Sequence, residues 1–287
     1  MLTPALITDA VGRALAEDAP WGDLTVQLSI DPDARLSAAV VAREPGVFAG
    51  GPVLVKTFRQ VDSRTEVRGL VSEGHRFAAG EVLARIDGPA QGVLTGERVA
   101  LNFVQRLSGV ATLTSRFVAA VAGTSASIAD TRKTTPGLRA LEKHAVAAGG
   151  GKNHRFSLSD AVMLKDNHLV ALGATEGPEL TRAIRGVKDQ LGHTTAVVVE
   201  IDHLGQLDAV IDAGVTAVLL DNFSLADLRT AVERVAGRTV CEASGGVNLE
   251  TVRGIAETGV DVISVGQLTH GAAALDLGLD AVDVAAG

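Results

Sequence analysis

From residue 190 onward the chain repeats itself. "AVVVE" ends at Glu200, "AVLLD" at Asp221 and "RTVCE" at Glu242, two steps of 21 residues, and "DVISV" runs to Val265 after a slightly longer one. Each run is short, apolar and rich in β-branched residues, and is followed by a helical pattern such as "SLADLRTAVERVAG", whose leading Ser can cap the helix. Strands lying side by side in parallel, covered on both faces, read as unbroken apolar runs, and a strand, a crossover helix and two loops fill a step of this length. The period therefore dictates βα units. Read backwards, "AVMLK" ends at Lys165 and "ASIAD" at Asp130, giving six strands between about residues 126 and 266. A barrel, or part of one, is their natural closure.

The first third is different. "LSAAVVAREPGVFAGG", "TEVRGLVSEG" and "GEVLARIDGP" are short strands broken by Gly and Pro turns, a separate small sheet domain. An amphipathic helix from about Leu94 to Ala122 should link it to the repeats, and the tail "ALDLGLDAVDV", which alternates like a strand, should return to it. Apolar residues make up 46 % of the chain with only 3 % aromatic, so the core must be aliphatic, as suits helices packed on strands. A net charge of −8 argues against non-specific binding to nucleic acid or to an anionic membrane. The single cysteine, Cys241, rules out a disulfide framework and a cysteine-based zinc site and fits a reducing, cytoplasmic location. The amino-terminal Thr3-Pro4 and the helix pattern after it read as neither a signal peptide nor a membrane span.

In a βα barrel the site lies at the carboxyl ends of the strands, which draws attention to Asp130, Lys165, Glu200, Asp221, Glu242 and Ser264. A strand end is also simply where polar residues begin. Carboxylates gathered around one lysine, however, repel unless a cation or a substrate separates them, which points to a divalent metal or a cationic transition state. Residues 131–155 hold six Lys or Arg and two His against one acid, Glu142, in a chain that is acidic overall. Arg132 and Lys133 follow the first strand directly and His154 and Arg155 approach the second, so both pairs can overhang one barrel mouth. Together with Lys165 they fit a ligand bearing more than one carboxylate or phosphate. Arg139 and Lys143, four apart, read instead as a solvated helix face. Gly149-Gly150-Gly151 reads either as helix termination or as a loop able to move over a ligand. After the last strands, "ASGGVN" and "SVGQLTH" are Ser-Gly turns opening helices, a pattern that binds phosphate through backbone N–H groups.

With these residues in place, the sequence resembles the quinolinate phosphoribosyltransferases along essentially its whole length. The motifs are "GDLT" (22–25), "GERVALNFVQRLSGVAT" (96–112), "DTRKTTPGLRALEKHAV" (130–146), "GGGKNHR" (149–155), "LKDNH" (164–168), "EASGGVN" (242–248) and "TGVDVISVGQLTH" (258–270). The resemblance implies an α/β fold: an incomplete, about six-stranded α/β barrel over 112–269, with an N-terminal α/β sandwich domain over 1–111 joined by 270–287. It implies transfer of phosphoribosyl from phosphoribosyl pyrophosphate (PRPP) to quinolinate with decarboxylation, and Mg²⁺ as cofactor. Lys165, Glu200 and Asp221 would be catalytic, with Glu200 and Asp221 also at the metal. Arg98, Thr131, Arg132, Lys133, His154, Arg155 and Lys165 would bind substrate, and Ser244, Gly245, Gly246, Val265, Gly266 and His270 the phosphate. The resemblance further implies a homodimer or higher homo-oligomer, with Arg98 crossing into the partner's site. A related enzyme acting on nicotinate or another small acid is the alternative, but nicotinate has one carboxylate, and four converging cations favour two. A Schiff-base lyase using Lys165 is disfavoured, because a lysine facing carboxylates stays protonated. "EGHRFAAGEVLARIDG" also resembles the strands of lipoyl or biotinyl carriers, yet residues 61–90 lack the lysine a carrier needs.

Overall fold

The structure is a computed structural model that describes residues 2–285; the outermost residues of the segments expected to form the first domain, 1, 286 and 287, lie outside them. The chain forms two compact units, one comprising Met1–Ser115, Thr134–Gly150 and Leu268–Gly287, the other Arg116–Lys133 and Gly151–Gln267. The helix Ala90–Ala120 carries the chain from the first into the second.

In the first unit the strands are β1 (Arg35–Ala42), β2 (Gly46–Val47), β3 (Glu66–Arg68), β4 (Arg76–Phe77) and β5 (Val82–Pro89). β1 lies between β5 and the carboxy-terminal strand Leu277–Ala285, antiparallel to both, with β3 outside β5, while β2 and β4 form a separate ribbon. The alternation along β1 sends Leu36, Ala38, Val40 and Ala42 into the core, where with Ala84 and Ile86 of β5 they join Val93, Ala100 and Val104 of Ala90–Ala120 and Leu54 and Phe58 of the helix Gly51–Val61. Glu73 starts that last helix: its carboxylate accepts the N–H groups of Gly50 (3.1 Å) and Gly51 (2.7 Å), placing negative charge at the helix amino end.

The helix Arg139–Ala148 departs from expectation on two counts. It groups with the first unit although it falls within 112–269, and Lys143 is only 2 % exposed rather than on a solvated face. Arg139, half-buried, donates to Thr134 Oγ1 at 3.0 Å. The cause is a set of charged contacts within that unit. Fully buried Glu142 accepts from Arg106 through Nε (3.2 Å) and Nη2 (2.8 Å), and from Thr135 through its N–H (3.0 Å) and hydroxyl (2.8 Å). His144 Nε2 sits 2.7 Å from Glu73 Oε2. These partners are remote in sequence, so a helical-wheel pattern does not reveal them.

The second unit holds the repeats as β6 (Ser127–Ala129), β7 (Val162–Leu164), β8 (Val197–Ile201), β9 (Ala217–Asp221), β10 (Val240–Ser244) and β11 (Val262–Ser264). They form one parallel six-stranded sheet in the order β6-β11-β10-β9-β8-β7. Chain order is thus kept from β7 to β11 and then wraps round to β6, the arrangement of a barrel with one open seam between β6 and β7. At that seam Lys152 forms a parallel bridge with Ala129, its N–H donating to Ile128 and its carbonyl accepting from Asp130. The helices Gly177–Lys188 and Leu225–Val235 follow β7 and β9, and Ser224 caps the latter by accepting from Asp227 N at 3.1 Å. No helix among the described residues is long and apolar enough to cross a membrane.

Candidate active site

Register sorts the strand residues of the second unit into layers. Val198 pairs with Ala217, and Glu200 with Leu219, which in turn pairs with Glu242; Ser244 pairs with Asp221. Val198, Ala217 and Leu219, with Met163 of β7, make a small apolar cluster of their own. Glu200 and Glu242 share the row of Leu219, Asp221 lies one step further toward the carboxyl ends, and Lys165 directly follows β7. Lys165 Nζ forms an ion pair with Glu200 Oε2, in which Glu200 is largely buried and Lys165 partly exposed. Asp221 Oδ2 accepts from Asn222 Nδ2 at 2.7 Å. Asn222 adopts φ 57°, a left-handed conformation that Asn tolerates better than most residues. Its N–H donates to Ser244 O at 2.9 Å, tying β9 to the turn after β10.

The cationic loops lie at the same ends. Asp130 is fully buried and accepts from Asn153 Nδ2 (2.7 Å) and from the N–H of His154 (2.8 Å), so the end of β6 anchors the segment carrying His154 and Arg155. His154 Nδ1 accepts the N–H of Arg155 at 2.7 Å, and its Nε2 lies 3.3 Å from Glu242 Oε2. Arg155 donates to Ala161 O at 3.1 Å. Its guanidinium is held below the usual arginine range, first by burial and next by the charge of Arg132, against a smaller opposing pull from Asp160. Thr131 Oγ1 accepts the N–H of Lys133 at 3.0 Å and shapes the loop, leaving Lys133 exposed.

The turn after β10 differs in one respect from the sequence expectation. "ASGGVN" does not open a helix directly: Asn248 first caps a turn by accepting from Glu250 N and Thr251 N, and the helix Val252–Ala256 begins later. What remains for an anion is the backbone of Gly245 (φ 90°) and Gly246 (φ 60°), consecutive positive-φ residues with no side chain to block its approach. Val265, buried, donates its N–H to Ala129 O and sets Gly266 at the end of β11. Arg98, exposed on Ala90–Ala120, and His270, exposed at the end of the short helix Gln267–His270, belong to the first unit. Sequence reasoning noted Glu242 only as one of the strand-end carboxylates and gave no role to Asn153 or Asn222. An Asn directly after a strand-end Asp is the one signal that marked the last of these.

A parallel barrel with acids, a lysine and arginines at its strand ends, and a positive-φ glycine pair after β10, defines the class as an α/β-barrel enzyme. Comparison narrows the class. The family models described as quinolinate phosphoribosyl transferase, N-terminal domain and C-terminal domain match residues 23–108 and 110–280. The chain is 42 % identical over 278 residues to a carboxylating nicotinate-nucleotide pyrophosphorylase of Mycobacterium leprae, covering 95 % of this chain and 96 % of the relative. It is 41 % identical to a probable enzyme of the same name from Bacillus subtilis, covering 92 % and 89 %. Among solved structures, NadC from Streptococcus pyogenes superposes with a TM-score of 0.92 at 38 % identity over 99 % of both chains. The nicotinate-nucleotide pyrophosphorylase from Francisella tularensis does so at 0.91 and 35 %, over 98 % of both. The chain belongs to the quinolinate phosphoribosyl transferase family. Human nicotinic acid phosphoribosyltransferase, at 15 % identity and a TM-score of 0.63, shares the fold alone.

Proposed function

We propose that this chain transfers the phosphoribosyl group of PRPP to quinolinate with loss of a carboxylate, giving nicotinate mononucleotide, carbon dioxide and pyrophosphate in the de novo route to NAD. The observation that carries the reading is the crowding of Arg155 at the barrel mouth, its guanidinium held below the usual arginine range first by burial and next by the charge of Arg132. Quinolinate relieves it with two adjacent carboxylates, whereas nicotinate offers one. Arg132, Arg155 and Lys165 take the dicarboxylate, with Arg98 supplied by a partner subunit, and Thr131 and His154 shape the loops that present them.

The 5′-phosphate of PRPP takes the turn of Ser244, Gly245 and Gly246 together with Gly266, and Lys133 takes the pyrophosphate; the Val265 N–H, expected at the phosphate, is given to Ala129 O instead. Glu200 and Asp221 accept from the ribose hydroxyls and stabilise the positive charge that grows at the anomeric carbon as pyrophosphate leaves. The quinolinate nitrogen attacks that carbon and becomes a cationic ring nitrogen. It then draws in the electron pair released when the neighbouring carboxylate departs as carbon dioxide, and a proton replaces the carboxylate on the ring. Among the described residues no group of three or more His, Cys, Asp or Glu is placed to hold a metal. Mg²⁺ binds through one or two carboxylates together with substrate phosphates, and Glu200 and Asp221 fit that mode. An ion held there with the pyrophosphate would neutralise charge on that leaving group.

The working form is a homodimer or higher homo-oligomer in the cytosol. Trp21 is 93 % exposed, Leu28 79 % and Leu24 69 %, an apolar display that a second subunit would cover. The test is product analysis after mixing the protein with PRPP, Mg²⁺ and either quinolinate or nicotinate. Nicotinate mononucleotide and carbon dioxide from quinolinate are expected. Product from nicotinate with none from quinolinate would overturn the reading in favour of the single-carboxylate enzyme.

A further inference from the structure

We propose that Glu242 is a positioning residue for the dicarboxylate site, acting through His154 on Arg155; the proposal rests on the functional reading above. Glu242 is 4 % exposed, and its Oε1 is buried without a hydrogen-bond partner. A buried carboxylate oxygen left in that state costs stability, so a simple packing role does not account for an acid here.

Its other oxygen, Oε2, faces His154 Nε2 at 3.3 Å. The far side of the ring fixes the tautomer. His154 Nδ1 accepts the N–H of Arg155 at 2.7 Å, so Nδ1 must present a lone pair and the ring proton must sit on Nε2, toward Glu242. The ring therefore spans two groups that the sheet holds in different ways. Glu242 is fixed on β10 in register with Leu219, the residue that also pairs with Glu200. Arg155 sits on a loop held from behind by Asp130 through His154 N and Asn153. Glu242 thus references the loop backbone at Arg155, and with it the guanidinium, to the strand row that carries the carboxylates.

Had His154 been a ligand for substrate through its ring nitrogens, one of them would be turned away from protein acceptors and donors; instead both face protein groups. The imidazole acts here as a spacer of fixed polarity. The loop keeps its course only while the ring keeps one orientation.

The experiment uses the full chain. Imidazole ¹⁵N shifts of His154 should show the neutral ring protonated on Nε2, with Nδ1 as acceptor. Glu242→Ala should weaken quinolinate, measured alone by calorimetry, by about tenfold or more, the scale of one buried hydrogen bond left unmade, and blur the single-tautomer signature. PRPP affinity should stay within about twofold, since its phosphate turn is built from other residues. Glu242→Gln, whose amide oxygen still accepts from Nε2–H, should restore both the tautomer and most of the quinolinate affinity. Should the alanine variant not fold, Glu242→Asp, one methylene shorter, must show the same split between the two ligands. A folded variant lacking the Glu242 contact that binds quinolinate like the unaltered protein, or a ring protonated on Nδ1, overturns the proposal. Failure of the unaltered protein to bind quinolinate at all would instead sink the functional reading, while the tautomer would still decide the Glu242–His154 contact.

Discussion

Glu142→Ala is expected to be among the more damaging single changes outside the proposed site. Glu142 is fully buried and accepts from both Arg106 nitrogens and from both donors of Thr135, so its removal strands three polar groups at once. Breaking a buried ion pair from one side costs about 3–5 kcal/mol. The lower end applies, because Arg106 keeps the carbonyls of Thr269 and Ala272 as acceptors and a quarter of its side-chain surface in water. A loss of about 3 kcal/mol corresponds to a fall of roughly 6–12 °C in Tm for a chain of this size, read by circular dichroism. Arg106→Met should cost a similar amount. The double variant, Glu142→Leu with Arg106→Met, should lose less than the sum of the two single changes, because it leaves no buried charge behind. It should not recover fully, since Thr269 and Ala272 lose their donor. A Glu142→Ala protein that melts within about 2 °C of the unaltered one, or a double variant that loses the full sum, would refute the reasoning.

Alanine at Gly245 and at Gly246 should behave differently. Both pay about 1–2 kcal/mol for the left-handed backbone, but a Cβ on Gly245 would lie 2.1 Å from Asn222 Oδ1 and 2.9 Å from Asn222 N, and one on Gly246 meets nothing within 4 Å. Calorimetry with PRPP should therefore show the larger loss for Gly245→Ala, and equal losses would remove Asn222 from the argument. Arg155→Ala should narrow the preference for quinolinate over nicotinate by about tenfold or more in competition binding, and an unchanged ratio would place the second carboxylate elsewhere. Burial pushes the Glu73 carboxyl up, but His144 and the N–H groups of Gly51 and Gly50 bring it, on balance, below the usual carboxylate range. Its contribution is then present above that range and lost as pH falls through the lowered value, so Glu73→Gln should flatten the acid limb of a Tm-against-pH series. Finally, inactive Arg98→Ala and Lys165→Ala proteins should regain part of their activity when mixed under conditions of subunit exchange. Exchange without recovery would assign Arg98 to its own subunit.

The parts of this chain that could be read directly are those governed by short-range periodicity. The 21-residue step located β8, β9 and β10 because a parallel strand and its crossover helix must fit within it, and the alternation in "ALDLGLDAVDV" marked the final strand, which pairs along the edge of β1. What escaped was set by contacts distant in sequence. Lys143 sits at a spacing that looks solvated, and only the buried surroundings of its helix show otherwise. Glu242 stood out as a strand end, but its pairing with His154 depends on a loop 88 residues earlier reaching across the barrel mouth. Asn222 needed its φ value to be recognised. The arginines were visible as a local excess of charge, whereas the cost to Arg155 of burial beside Arg132 was not.

The seam between β6 and β7 gives this barrel a mechanical property that a closed ring lacks. In a ring, widening the mouth breaks ladder hydrogen bonds somewhere on the circumference. Here the six strands form a strip whose open side, among the described residues, carries isolated contacts and no ladder, Lys152 bridging β6 and Arg155 donating to Ala161 ahead of β7, so the edges can part or approach while every ladder from β7 round to β6 stays intact. Asp130 and Arg132 follow one edge strand and Lys165 the other, so the adjustable gap is the one between the cations. The barrel behaves less like a cup than like a split collet, rigid along its jaws and compliant at the slot.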